Sequence, residues 1–130
     1  MNEAVNAYMA MAEECLQEAR LLVGNQLYRG AAGRAYYAYF DAVRALLATK
    51  SIATKSHSAA RNLFGDHFVR EGLFSGQDAK DLHTLFDLRQ SSEYDPDDHL
   101  DVTEVEKAVK TAAEFVLQTE AYLRSMGYNA

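Results

Sequence analysis

The stretch Tyr28-Arg-Gly-Ala-Ala-Gly-Arg34-Ala-Tyr36-Tyr37-Ala-Tyr39-Phe40-Asp41-Ala-Val43-Arg44-Ala-Leu-Leu47 decides the fold. Tyr36, Phe40, Val43 and Leu47 recur at spacings of four, three and four, which is one face of an α-helix. The pattern predicts a helix from about Leu27 to Thr49. No period-two alternation marks a strand here or elsewhere in the chain.

Working outward, the same period returns on both sides. Tyr8, Met11, Cys15, Ala19 and Leu22 predict a helix over 3–23, with Gly24-Asn25 as its stop. A third helix is expected over about His57–Arg70, with Ser56 as N-cap and Ala60, Leu63, Phe64 and Phe68 inward. Ser75-Gly-Gln-Asp78 has capping-box spacing and opens a fourth, whose stripe is Ala79, Leu82, Leu85, Phe86 and then Arg89. Pro96, in Tyr94-Asp-Pro-Asp-Asp98, must end it. Asp101-Val-Thr-Glu104 opens a fifth. It carries Val102, Val105, Val109, Ala112, Val116, Tyr122, Leu123 and Met126, with Gly127 placed for a C-cap. The expected fold is all-α: a single domain over 1–130, a four- to five-helix and mostly antiparallel up-down bundle.

Composition agrees. The chain has 130 residues, 48% hydrophobic and 25% charged, which excludes a disordered chain, a fibrous repeat and a disulfide scaffold. One proline and seven glycines are too few for the many turns of an all-β fold. Cys15 is the single cysteine, so no disulfide framework indicates an oxidising compartment. The N-terminal residues do not read as a signal peptide, and no apolar run reaches the ~18 residues that span a bilayer. A soluble, cytoplasmic protein with no membrane partner is expected.

The net charge of −6 is unevenly spread. Residues 1–65 carry seven Lys/Arg and five Asp/Glu, and residues 66–130 carry six and fourteen. From Ala19 to Gly65 there are seven bases and one acid, Asp41; from Asp78 to Glu106 there are two bases and ten acids. The whole repels nucleic acid, whereas the first stretch does not. The two stretches can also face each other in the fold or across a dimer.

Several chemistries drop out. His57, His67, His83 and His99 lie singly, no metal-ligand spacing occurs, and Gly24, Gly30 and Gly33 form no phosphate loop. No metal and no cofactor are implied. Arg89 stands out as a charge on an apolar stripe: either a core-edge ion pair or an arginine held in a cleft for phosphate. Arg34, Tyr37, Asp41 and Arg44 make a polar stripe beside the apolar one, to which Tyr36 and Tyr39 add aromatic surface. That mix serves base, phosphate and ribose recognition, or else an Asp41–Arg44 surface pair with tyrosines over the bundle seam. Lys55-Ser56-His57 is a capped loop or an anion site at a helix N-terminus.

Together, Arg34-Ala-Tyr36-Tyr37-Ala-Tyr-Phe40 followed by Ala-Val-Arg44-Ala-Leu-Leu47, the Lys55-Ser-His57 step, and Leu88-Arg89-Gln-Ser-Ser-Glu-Tyr94 resemble small stand-alone HEPN-domain proteins of bacteria and archaea. The resemblance covers about residues 3–126. It implies a bundle that forms a homodimer and pairs with a minimal nucleotidyltransferase in a toxin–antitoxin or defence module. Catalytic members are metal-independent ribonucleases, with an arginine followed after four to six residues by a histidine at the dimer cleft. The histidine moves protons and the arginine supports the phosphate.

This chain keeps Arg89 but has Tyr94 after the four-residue gap, and its next histidine is His99, beyond Pro96. A phenol with pKa near ~10 is a poor base at neutral pH. The expectation is therefore a binding protein without ribonuclease activity. Arg89 and Tyr94 hold the place of the catalytic pair, and Arg34, Tyr37, Asp41, Lys55 and His57 contact RNA or nucleotide. Two alternatives stand beside it. One is a ribonuclease toxin using Arg89 with a displaced base, His99 or His57. The other is a non-enzymatic interaction module whose acidic 78–106 region docks a basic partner.

Overall fold

The structure is a computed structural model and describes residues 2–94 and 100–128. Five α-helices follow one another: α1 Asn2–Gly24, α2 Tyr28–Ala48, α3 His57–Phe64, α4 Gly76–Tyr94 and α5 Val102–Ser125. No strand occurs among the described residues.

α2 is the central element, and α1, α3, α4 and α5 all pack on it. Fifteen of its 21 residues are buried, so it is enclosed on nearly every side rather than along one stripe. Ala35, Ala38, Ala42 and Ala45 are fully buried, and their small side chains let the neighbouring helices approach closely. Tyr39, read from sequence as surface, is also fully buried. Its ring stacks on Phe115 of α5 at 3.9 Å, and its hydroxyl donates to the Asp78 carbonyl at 2.7 Å.

The caps follow the local chemistry. Ser56 accepts from the Ala59 N–H and Asp101 from those of Thr103 and Glu104. Ser75 and Asp78 exchange reciprocal bonds of 3.1 Å, a capping box. α5 ends in a Schellman motif with Gly127 at φ +92.

α1 stops at Gly24-Asn25 as expected, and the residue with positive φ that turns the chain after it is Gln26 (φ 58). Two expectations are corrected. The buried face of α1 is Val5, Met9, Ala12, Cys15, Leu16 and Ala19: Cys15 and Ala19 turn inward as expected, whereas Met11 is 45% exposed. The expected third helix is α-helical only to Phe64 and continues as a π-helical turn, Gly65–Val69. Both Phe64 and Phe68 stay fully buried across that change.

Candidate functional site

α2 and α4 bring three of the expected residues into one cluster. The Arg89 guanidinium lies 5.0 Å from the centre of the Tyr37 ring and 5.8 Å from that of Tyr36. Arg34, one turn before Tyr37 on α2, places its guanidinium 5.1 Å from the same Tyr37 ring. Two cations near one ring repel each other, and two acids offset this. Glu18 of α1 is 3.6 Å from Arg34, and Glu93 of α4 is 3.3 Å from Arg89. Arg34 also approaches the Cys15 sulfur at 3.8 Å. Burial pushes the Cys15 thiol up, away from its reactive form.

The other expected residues take distinct places. Asp41 is 2% exposed and pairs with Arg44 at 3.4 Å. Arg44 in turn donates to the Tyr8 hydroxyl and lies 4.4 Å over the Tyr8 ring of α1. Burial raises the Asp41 carboxyl above its ordinary range, and Arg44 opposes the rise. The pair read as a surface feature is thus a buried link between α1 and α2. Lys55 is exposed on the loop before α3.

His57 joins the cluster through Tyr36. Its Nδ1 is 3.0 Å from the Tyr36 hydroxyl, and its ring stacks on Phe86 of α4 at 3.8 Å. Burial lowers its pKa, with His83 and Arg61 adding to the effect, so the neutral imidazole is favoured. Burial pushes the Tyr36 hydroxyl above its ordinary value, with Arg89 opposing, which keeps the phenol protonated at neutral pH. Tyr94 is the last residue of α4, and its side chain lies outside the described part; His99 lies wholly outside it.

Several bases of the basic stretch are engaged within the fold. Arg29 donates to the Ser92 carbonyl, Arg34 and Arg44 are paired as above, and the Lys50 ammonium lies 5.5 Å over the Phe68 ring. The acidic stretch lines a cleft of about 570 Å³ between α4 and α5, with Asp81, Asp87 and Glu104 on its walls beside Lys107. Among the described residues, no group of three or more His, Cys, Asp or Glu could hold a metal ion. No helix there is long and apolar enough to cross a membrane.

A HEPN domain model matches residues 5–121, which span all five helices. The chain belongs to the HEPN family. It is 33% identical over 126 residues to a Methanocaldococcus jannaschii protein whose name reads "Putative toxin MJ0605", covering 97% of this chain and 93% of that one. A second protein of that organism, "Putative toxin MJ0142", is 29% identical over 114 residues, 88% of this chain and 78% of its own. A Thermotoga maritima protein named "UPF0332 protein" is 33% identical over 97 residues, 72% of this chain and 74% of its own.

Sequence reading passed over two residues of this HEPN site. Glu93 stands four residues after Arg89, the spacing at which helical side chains meet. Gly33 faces it: a Cβ there would lie 2.6 Å from Glu93 Oε1, so any larger residue would shift the end of that flexible side chain. The i, i+4 spacing was available as a signal for Glu93. Nothing local signals Gly33, because its partner comes from another helix.

Proposed function

We propose that this chain is the HEPN component of a prokaryotic toxin–antitoxin or defence module. In this reading it binds RNA or nucleotide at Arg89, Tyr37 and Arg34 and does not cleave RNA. The observation that carries the reading is the convergence of Arg34 and Arg89 on the Tyr37 ring. Guanidinium forks suit phosphate, and a partly open tyrosine ring suits base stacking. The relatives named as toxins support the module, and the HEPN resemblance supports a homodimer with a nucleotidyltransferase partner in the cytoplasm. The absence of cleavage rests on Tyr94 standing where an active member has histidine. Lys55 and His57 extend the site along the start of α3, and Asp41 holds Arg44 by an ion pair.

One observation favours a second reading, metal-independent cleavage with a displaced base. His57 is favoured neutral and bonds Tyr36, whose ring lies against Arg89. The third reading, a docking module, has the acidic α4–α5 cleft behind it.

The test is fluorescence anisotropy with a short labelled single-stranded RNA and, separately, with ATP. Arg89→Ala and Arg34→Ala each weaken binding about tenfold, as expected for the loss of a charge-assisted contact. Unchanged affinity in both variants overturns the site. RNA cleavage in the presence of a chelator, abolished by Arg89→Ala and by His57→Ala, overturns the non-cleaving reading in favour of the second. Capture of a partner protein with no affinity for RNA or ATP favours the third.

A further inference from the structure

Glu93 follows Arg89 by four residues on α4. Its pairing with Arg89 runs cation-first along the helix, the weaker order for such a pair. Helix stability therefore does not account for it. What it touches does: Oε2 is 3.3 Å from Arg89 Nη2, while Oε1 rests against the Gly33 backbone in space that any other residue's Cβ would fill. Arg89 is 16% exposed and Glu93 33%, so the carboxylate sits on the outer side of a largely buried cation.

We propose that Glu93 is a built-in anion that occupies Arg89 in the free protein, so that phosphate binds at this site by displacing a carboxylate. This rests on the reading of Arg89 as a phosphate-binding residue. The internal carboxylate sets a threshold. Weak monoanions do not compete with a tethered acid at 3.3 Å, whereas a phosphate held at once by Arg89 and Arg34 does. The i, i+4 tether lets Glu93 swing aside by side-chain rotation alone, since a third of it is already exposed. Gly33 leaves open the space that the carboxylate takes in the closed arrangement.

The experiment compares wild type, Glu93→Gln, Gly33→Ala, the Glu93→Gln/Gly33→Ala double variant and Glu93→Gln/Arg89→Ala, using the labelled RNA and ATP as probes. Glu93→Gln keeps the shape and removes the charge, and it tightens binding roughly fivefold. Gly33→Ala pushes the carboxylate off its seat and also tightens binding. In the Glu93→Gln background the same alanine adds nothing further, because there is no charge left to dislodge. The gain from Glu93→Gln vanishes when Arg89 is also removed. A merely structural Glu93 gives the opposite result, weaker binding in both single variants, and that overturns the inference. Equal affinity of wild type and Glu93→Gln, with binding still lost on Arg89→Ala, overturns the inference and leaves the site standing. No binding by wild type or Glu93→Gln overturns both.

Discussion

Arg44 has 16% of its side chain exposed and Asp41 only 3%, so the ion pair between them is buried. Such a pair gains little over well-packed apolar residues, but breaking it is costly because the surviving charge has no water to turn to. Arg44 keeps only the Tyr8 hydroxyl and the Tyr8 and Phe40 rings as partners when the carboxylate goes. Asp41→Ala is therefore expected to destabilise the fold by about 3 kcal/mol in urea titration, with the slope unchanged. A loss under about 1 kcal/mol would mean that Arg44 reaches water in the variant. The spacing of three made this pair legible in the sequence. Its depth was not legible, because depth depends on Tyr8 of α1 closing over it. The same holds across the candidate site. Arg34, Tyr37 and Arg89 could each be singled out by residue type and helical phase. That two of them converge on the third depends on how α4 lies against α2, which no local pattern encodes.

At the scale of elements, the helices were legible where capping chemistry is local. Ser56, Ser75 with Asp78, and Asp101 each cap as their side chains dictate. The inward face of α1 was legible only in part: Cys15 and Ala19 turn inward, but Met9 rather than Met11 is buried, since both are equally hydrophobic and lie on different faces. α1 also meets α5 through a pair of acids. Glu120 shares a hydrogen bond with Glu13, and this, with partial burial, pushes its pKa up to about 7. A carboxyl raised in the folded state binds its proton more tightly there than in the unfolded chain, whose glutamates titrate near ~4.3. Its contribution is complete below the unfolded value and is lost as pH rises through about 7. Wild type is thus expected to melt at a lower temperature at pH 8 than at pH 5.5. Glu120→Gln, which keeps a donor without a titrating proton, should lose less over the same interval. Equal losses in the two proteins would show that Glu13 and Glu120 share no proton.

For the whole molecule, the net charge of −6 and the fate of the arginines set how nucleic acid can be held. A distributed basic surface would neutralise many phosphates and give a steep dependence on salt. Here Arg29 and Arg44 each have a partner within the fold, and Lys50 lies over an aromatic ring. The proposed site offers the guanidinium groups of Arg34 and Arg89, whose acid partners Glu18 and Glu93 are partly exposed, which amounts to two phosphate contacts plus stacking. Single strands release about 0.7 counterion per phosphate neutralised, so two contacts give a log–log salt slope of about −1.4. Arg89→Ala should halve that slope to about −0.7 as well as weaken binding. Replacing Tyr37 by leucine should instead weaken binding at every salt concentration and leave the slope as it was, because a stacking ring releases no counterion. A wild-type slope steeper than about −3 would place RNA on a broader surface than this cluster. The acidic second half of the chain pushes in the other direction: it repels RNA everywhere except at the cluster, so the charge that opposes binding overall also confines it to one site.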